Sequence, residues 1–576
     1  MRAGAMRGAP AALVPLAVLL ALGPGLVGGA HVAATVTVVV VGALCLAYGE
    51  PRALSRGPRG WFAALLLWAA LDAAVRPVAA WDAMRVVASG TVALGVLVTT
   101  AAPRVAAWGR FATVLAGVSA SLWLVVERIV RAGRPSGPFG NPNLAATLAL
   151  LALALAPFLP ARASVRSALL AVAAAGIVAS GSRGALIGLA AVALAWAVAM
   201  RARRWMWTGA AVLLAVAGLG LAARLATDRD PLRYERVRIW GVALRTTVAE
   251  FPFGAGPSGY ADAALAHNFP RDGEFARFAR LPDVAESDFL QVAATLGVPG
   301  LLLTMGLLGS LVRDLARRDA RAWGVAAAVV VTSTFSSQLM VPVLGWVAAL
   351  AMGSVLPRPG PNRGRVRSFS AVLAVLMLAV AAGAVLATDD WGVGGSPARE
   401  IDRADAMLQG GSNNDRVLAD AEATAWLACA ARPRLGRGWR VLGGIRLRRA
   451  TLRGDGDLAT AAVEAFNRAR RVNPLDAWAA LGEAQALRAM GDAAGAWRAL
   501  NAAVKLEPNF VSAWLERAIL HLSEGEMGAA RAALARAEAA SRGAPRAAFV
   551  SAYERALARA DPATVARLSS ATGVVR

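Results

Sequence analysis

The fold class is decided by residues 167–200, which read SALLAVAAAGIVASGSRGALIGLAAVALAWAVAM. Arg183 is the single charged residue in this stretch. A helix that crosses a bilayer needs about 20 mostly apolar residues. The stretch therefore predicts two membrane spans, at 164–181 and 184–200, joined by the tight turn 180–184. An all-α membrane protein is expected.

The composition agrees with a membrane protein. Of the 576 residues, 57% are hydrophobic and 17% are charged, and the mean hydropathy is +0.52. A disordered chain would be poor in apolar residues. Two cysteines and three histidines argue against a disulfide scaffold and against a metal centre. The net charge of +24 does not indicate nucleic-acid binding, because basic residues gather in the cytoplasmic loops of membrane proteins.

Eleven further apolar segments bring the predicted number of spans to thirteen. They lie at 10–29, 31–49, 60–76, 83–102, 107–127, 143–160, 204–223, 290–312, 321–337, 340–356 and 368–388. The first is expected to be a retained helix rather than a cleaved signal peptide. With the N-terminus inside, the inner ends of the spans carry twenty arginines and the short outer loops carry five. This asymmetry favours that orientation.

Two hydrophilic parts then face outward, the loop at 224–289 and the tail at 390–576. The predicted domains are a membrane domain at 1–389, which contains the loop, and the tail domain at 390–576. No disulfide is expected, because Cys45 lies in a predicted span and Cys429 in the tail.

The tail repeats at 34 residues. Three sets of residues keep this spacing: Ala462, Ala496 and Ala530; Phe466, Leu500 and Leu534; and Ala469, Ala503 and Ala537. The segments 439–443 and 478–482 both have the order Trp-x-x-Leu-Gly and resemble tetratricopeptide repeats. We expect three such repeats, with a loop insertion around 454–457 and less regular helices at 398–432 and 545–570. Helix pairs of this kind stack into a solenoid, most often a docking module.

Two short outer motifs are candidate anion sites. Asn141 and Asn143, in Gly-Asn-Pro-Asn, follow three arginines, Arg128, Arg131 and Arg134. The asparagines could equally form a turn and a helix N-cap. Arg183, in Ser-Arg-Gly, is either a phosphate-binding side chain or a snorkelling arginine at the interface.

The large loop supplies the remaining motifs. Val237, Trp240, Leu244 and Val248 recur at helical spacing and predict an amphipathic helix on the membrane surface, with Arg233, Arg236, Arg238 and Arg245 on its other faces. A glycine-rich turn, PFGAGPSGY, follows at 252–260. The loop ends in ESDFLQ at 286–291, and GVPG at 297–300 marks the next span.

In this order, over residues 130–350, the motifs resemble the O-antigen ligase and polymerase superfamily, in which a tetratricopeptide tail recurs. The resemblance implies a glycosyltransferase-C type of membrane fold in the bacterial inner membrane, with a periplasmic tail. It implies a polyprenyl diphosphate-linked glycan as donor and a lipid, protein or glycan hydroxyl as acceptor. One position departs from the family, because Glu286 stands where a catalytic histidine is usual. His267 and Asn268 lie upstream but lack the following Leu-Gln.

The predicted mechanism is metal-independent and needs no cofactor. Arg183 and Arg236, with Arg238, hold the diphosphate, and Glu286 takes the acceptor proton or orients the acceptor. Asn141, Asn143 and Arg134 complete the substrate-binding residues. Arginine suits this work because its planar fork bonds phosphate bidentately.

Several functions stay open at this point. A ligase, a polymerase and a protein O-oligosaccharyltransferase share the donor and differ in the acceptor. A transporter would need ionisable residues within the spans, for which Asp72 and Arg85 are candidates. A scaffold that displays the repeats would not need four ordered outer motifs.

Overall fold

In the computed structural model of the chain, every regular element among the described residues is helical. The structure describes residues 56–75, 90, 93–97, 100, 103–131, 135–138, 141–199, 204–227, 235–271, 276–278, 281–317, 319–336, 342–356, 397–410, 413–542 and 566. The predicted spans at 10–29, 31–49 and 368–388, most of the span at 83–102, Cys45, Arg85 and Arg134 lie outside these ranges, as does nearly all of the helix predicted at 545–570.

The chain divides into two compact units. The first comprises Met1–Tyr260 and Val284–Val393, and the second comprises Ala261–Asp283 and Gly394–Arg576. The segment Ala261–Asp283, in the middle of the predicted outer loop, thus packs with the tail rather than with the apolar helices.

The first unit is a bundle of apolar helices. Its described helices are α1 (Arg56–Val75), α2 (Pro103–Val130), α3 (Pro142–Leu155), α4 (Ala163–Ser180), α5 (Arg183–Ala199), α6 (Arg204–Thr227), α7 (Glu235–Ala249), α9 (Asp288–Ala316), α10 (Ala322–Phe335) and α11 (Pro342–Val355). The short helix α8 (Tyr260–Ala264) begins at the last residue before the second unit and lies mainly in that unit. Nine of the thirteen predicted spans coincide with α1–α6 and α9–α11. Three described stretches, Val105–Val130, Ala163–Ser180 and Asp288–Leu315, are long and apolar enough to cross a membrane, and five further apolar helices are shorter.

Close helix contacts hold this bundle together. α3 is at its centre, with every residue from Ala145 to Leu155 buried. A methyl group on Gly176 of α4 would lie 2.4 Å from Ser121 Cβ of α2, and one on Gly188 of α5 would lie 2.4 Å from Leu150 Cδ2 of α3. Small residues thus let the backbones approach, as is usual between helices in lipid.

The contacts at the helix ends show that neighbouring helices alternate in direction. At one end, Arg110 Nη1 donates to Ser354 O at 2.6 Å, and Trp196 Nε1 donates to Arg321 O at 2.9 Å. This end carries many of the arginines that the sequence assigns to the inner side. At the other end, here called the motif end, lie the close of α2, the start of α3 at Asn141, the 180–184 turn, Phe335 and Glu286.

The second unit contains eight more helices among its described residues. They are α12 (Pro397–Gln409), α13 (Asp415–Ala431), α14 (Gly436–Arg453), α15 (Gly456–Val472), α16 (Ala477–Ala489), α17 (Ala493–Leu506), α18 (Val511–Ser523) and α19 (Met527–Arg542). They pack as successive pairs, and α12 with α13 forms a regular pair where less regular helices were expected.

The 34-residue pattern corresponds to the buried positions of α15, α17 and α19. The nine residues of the three predicted sets are all buried. A methyl group on Gly482 would lie 2.3 Å from the Phe466 ring, and one on Gly443 would lie 2.9 Å from it. The glycines of both Trp-x-x-Leu-Gly motifs are therefore required where α14 and α16 pack against α15.

One detail of the repeat prediction was wrong. The extra residues of the first repeat do not form a loop at 454–457, since α14 ends at Arg453 and α15 begins at Gly456. They lengthen α14 to 18 residues, compared with 13 for α16. Cys429 is a free, buried cysteine in α13, and burial raises the pKa of its thiol to about 12.

Candidate functional site

Two of the predicted site residues are in direct contact. Arg236, in the first turn of α7, donates from Nη2 to Glu286 Oε2 at 3.2 Å. Both side chains keep about a third of their surface exposed, at 30% and 32%. The pair is thus formed by α7 and the residues just before α9, and it remains open to a ligand.

The backbone at Glu286 is held in an unusual conformation. Its φ is +53°, in the left-handed region that costs a residue with a side chain roughly 1–2 kcal/mol. Neighbouring groups fix this conformation. Trp240 Nε1 donates to Glu286 O at 3.2 Å, and Gln291 Oε1 accepts from Ala285 N at 2.8 Å. Gln291 of the Leu-Gln motif therefore has a structural role, which is to hold the backbone that presents Glu286.

A chain of contacts leads from this pair to the Ser-Gly-Ser-Arg turn. The rings of Trp240 and Phe335 lie 6.0 Å apart between centroids. A methyl group on Gly184 would lie 3.3 Å from Phe335 Cβ. Arg183, half-buried at the start of α5, thus belongs to the same neighbourhood as Arg236 and Glu286.

The turn that carries Arg183 is built from its own serines. Ser180 Oγ donates to Ile177 O at 2.6 Å and accepts from Ser182 N at 3.0 Å. Gly181 ends α4 with φ +60°, and Ser182 O accepts from Leu186 N in the first turn of α5. These bonds fix the short reversal that brings Arg183 to the motif end.

The glycine-rich turn and the glycine-marked span fit together at a break in α9. Gly297 has φ +66° and interrupts the helix, and Pro299 has no N–H to give to Thr295 O. The turn supplies what the break removes: Ala255 N donates to Ala294 O at 2.8 Å, and Gly256 N donates to Thr295 O at 2.8 Å. In return, Pro252 O accepts from Val298 N at 2.9 Å.

This junction accounts for the backbone groups that the break exposes. The remaining carbonyl, Leu296 O, accepts from Trp68 Nε1 at 2.9 Å. Buried backbone groups without partners are costly, so the two motifs are needed together. Both motifs are recognisable in the sequence, but their pairing was not predicted. The sequence feature that indicates this pairing is a helix-breaking Gly-x-Pro-Gly in the same region as a glycine-rich turn.

The asparagines of Gly-Asn-Pro-Asn have an evident structural role. Asn141 is the N-cap of α3, and its Oδ1 accepts from Asn143 N at 2.9 Å. The turn and N-cap interpretation is therefore correct for Asn141. A substrate contact for Asn141, Asn143 or Arg134 stays a prediction.

Sequence reasoning missed a buried carboxylate at the motif end. Glu127, 8% exposed in α2, accepts from Ser136 Oγ at 2.7 Å, from Gly137 N at 2.9 Å, from Trp123 Nε1 at 3.2 Å and from Arg131 Nη1 at 2.9 Å. It anchors the loop that leads to Asn141. Because Arg131 bonds to Glu127, its charge is not wholly available to an anion. The signal in the sequence was the Glu-Arg spacing of four residues on a helix.

Helix α7 has the amphipathic character that the sequence predicted. Val237, Leu244 and Val248 are 58–72% exposed, while Val242 and Ala243 are buried. Trp240 does not belong to the exposed stripe, because it packs against Phe335. Arg238 and Arg245 are exposed beside the stripe. An exposed apolar stripe with flanking arginines suits a helix lying at a membrane surface.

An apolar groove of about 1440 Å³ lies among α2, α4, α5 and α6. Val125 and Arg128 line it on α2, and Gly181 lines it at the turn before Arg183. Trp196 and Thr208 line it towards the opposite end. The groove thus runs between the helices and has an arginine and the Ser-Arg-Gly turn at the motif end.

The remaining polar candidates lie in the second unit. His267 ends a short 3₁₀ helix, and Asn268 Nδ2 donates to Phe278 O at 3.4 Å, as expected of residues in a loop. Within the described ranges, a cluster spaced closely enough for a metal ion consists of His521, Glu524 and Glu526, and both glutamates are exposed. Metal independence of the reaction stays a prediction.

Comparison with known families finds a match for the middle of the chain. Residues 168–305 match the family model described as O-antigen ligase. The matched residues include Arg183, Arg236, Glu286 and both halves of the junction at Gly297. Among curated proteins, none matches the chain.

The solved structures that resemble a part of the chain include a thermophilic TPR protein from Thermus thermophilus. It is 23% identical, and the match covers 33% of this chain and 93% of that chain with a TM-score of 0.25. The assignment of the tail to tetratricopeptide repeats rests on its own spacing and burial pattern, and it stays a prediction.

Proposed function

We propose that the protein transfers a glycan from a polyprenyl diphosphate carrier to an acceptor hydroxyl. The main support is that the predicted site motifs lie together at one end of the first unit. Arg236 pairs with Glu286, and Trp240 and Phe335 connect this pair to the turn that carries Arg183. The match of residues 168–305 to the O-antigen ligase family model supports glycan transfer in a membrane as the general activity.

In the proposed step, the acceptor oxygen attacks the anomeric carbon of the donor glycan. The bond from that carbon to the diphosphate oxygen breaks, and its electron pair goes to the leaving diphosphate. The acceptor proton goes to the Glu286 carboxylate, which acts as general base. Arg183 and Arg236 offset the charge that grows on the diphosphate through charge-assisted hydrogen bonds.

The observed ion pair is compatible with both roles. A guanidinium has five N–H donors, and the contact with Glu286 uses one of them. Arg236 can therefore bind a diphosphate oxygen while it still orients the carboxylate. Arg238, exposed one residue after Val237, is proposed to assist with the same charge.

The groove and helix α7 suit a lipid-linked donor. An isoprenoid chain needs an apolar path, and the groove at Val125, Gly181 and Trp196 is lined mainly by apolar side chains and ends near Arg128. The exposed stripe of α7 would lie at the membrane surface, where the diphosphate head group resides. We place the protein in the bacterial inner membrane, with the motif end and the tail on the periplasmic side.

Ligase activity is favoured over polymerase activity because the matched family model describes O-antigen ligases. The two differ in the acceptor, and the lipid-linked glycans of a strain lacking the protein distinguish them. Long chains stranded on the carrier are expected for a ligase, whereas accumulated single units would indicate a polymerase. An unchanged profile with normal surface glycan would contradict both. Transfer by the purified protein is expected to survive EDTA.

A further inference from the structure

The tail holds a piece of the loop that carries the candidate site. The segment Ala261–Asp283 packs with the repeats in the second unit. In the chain it lies between Arg236 and Glu286, and the first unit resumes at Val284, two residues before Glu286.

At one end, the segment is held by an ion pair with little exposure to solvent. Arg432 Nε donates to Asp262 Oδ2 at 2.6 Å, and the two side chains are 13% and 10% exposed. A pair with so little solvent around it is specific, because removing one partner leaves the other charge buried.

At the other end, a single carboxylate holds two consecutive backbone amides. Glu507 Oε2 accepts from Arg277 N at 2.6 Å, and Glu507 Oε1 accepts from Phe278 N at 3.0 Å. Glu507 is 8% exposed. Since both contacts are to the backbone, they recognise the conformation of the segment rather than its side chains.

The two contacts occupy equivalent positions in the array. Arg432 is the C-cap of α13, and Glu507 is the C-cap of α17. Asn473 caps α15 between them in the same way. The two contacts are thus made by the ends of the first and third of three successive second helices. A carboxylate at a helix C-terminus is disfavoured by the helix dipole. Glu507 therefore stabilises the position of the segment rather than its own helix.

Described residues of the segment also bond to one another. Arg271 N donates to Arg277 O at 2.9 Å, and Asn268 Nδ2 donates to Phe278 O at 3.4 Å. The segment is thus held at two fixed points, Asp262 and the amides of Arg277 and Phe278.

We propose that the repeat array is an internal clamp on the outer loop, with Arg432 and Glu507 as positioning residues for the transferase site. The proposal rests on the proposed function and adds that the tail acts on its own chain. The constraint would act on the strained backbone at Glu286, because a strained conformation persists only where the surrounding structure holds it in place.

Hydrogen exchange and transfer by the full-length protein test the clamp. Glu507→Ala removes both acceptors, and Glu507→Gln keeps one carbonyl oxygen. We expect the amides of Arg277 and Phe278 to exchange at least about tenfold faster in the first variant, with an intermediate effect in the second. Transfer is expected to fall in the same order, by about tenfold for Glu507→Ala, because misplaced groups lose rate steeply.

The controls separate positioning from loss of folding. Arg432→Ala should behave like Glu507→Ala, while Arg432→Lys, which retains the charge opposite Asp262, should restore transfer. Glu464→Ala removes an exposed carboxylate from α15 and should change neither readout. Cys429 should stay unreactive to alkylation in every variant if the array remains folded.

The outcomes distinguish the clamp from the underlying function. Faster exchange in the segment with undiminished transfer would overturn the positioning role and leave the transferase intact. Unchanged exchange in Glu507→Ala would overturn the clamp itself. Absence of transfer activity in the wild-type protein would contradict the proposed function and therefore also the positioning role.

Discussion

The junction at the break in α9 makes the sharpest stability prediction, through Gly254→Ala. Gly254 has φ +80°, and a methyl group there would lie 2.5 Å from Gly297 N and 2.5 Å from Thr295 O. Both obstacles are backbone atoms, so they cannot move aside as a flexible side chain could. The turn must therefore lift away from the break.

The cost follows from the contacts that lifting would break. A left-handed conformation costs a residue with a side chain roughly 1–2 kcal/mol. The three bonds of Ala255 N, Gly256 N and Val298 N across the junction each contribute about 1 kcal/mol. We expect Gly254→Ala to destabilise the first unit by roughly 4–5 kcal/mol, which corresponds to a fall in Tm of about 10 °C.

Thermal unfolding of the purified protein in detergent measures this effect. Gly309→Ala is the matched control, because Gly309 lies in the same helix as Gly297 and a methyl group there meets no atom within 4 Å. Alanine is favoured over glycine in a helix by roughly 0.5–1 kcal/mol, so the control should be neutral or slightly stabilised. Equal Tm values for Gly254→Ala and the wild type would show that the turn does not pack against the break in α9.

Three further predictions concern single titratable side chains. Glu286→Gln should lower transfer by about 10²-fold or more, while Glu250→Gln in the same loop should leave it intact; full activity in Glu286→Gln would exclude the general-base role. Burial raises the pKa of the Glu507 carboxyl. The stability linked to its protonation is therefore fully present below the ordinary pKa and is lost as pH rises through the raised value. The Tm of the wild type relative to Glu507→Gln should therefore increase as pH is lowered from neutral to about 4, and a decrease would contradict it. In a Cys45→Ser background, Cys429 should resist alkylation at pH 8 until the protein is unfolded, because burial raises the pKa of its thiol to about 12; rapid labelling of the folded protein would show that the thiol is accessible.

Local patterns predicted most helices because each depends on nearby residues. The apolar runs around Arg183 correspond to α4 and α5, and the 34-residue spacing from Ala462 corresponds to buried positions in the repeat array. The length of α14 was harder to predict, because glycine and aspartate at 454–457 are typical of a loop and also of a short turn with an N-cap.

Long-range pairings were beyond the sequence. The residues near Gly254 do not indicate that this turn will form hydrogen bonds with the break in α9, which lies more than forty residues later. Likewise, Glu507 has the pattern of a surface residue after a helix, and its two bonds to the loop depend on tertiary structure. The pairing of Arg236 with Glu286 was predicted only as a shared role, and the structure adds the contact between them.

We propose that arginines at the motif end stabilise the leaving diphosphate. The test is transfer from a polyprenyl diphosphate-linked glycan by the purified protein, in which Arg183→Ala, Arg236→Ala and Arg245→Ala are compared. We expect a loss of about 10²-fold for each of the first two variants. Arg245→Ala, an exposed arginine of the same helix as Arg236, should retain activity. Full activity in both Arg183→Ala and Arg236→Ala would contradict the claim.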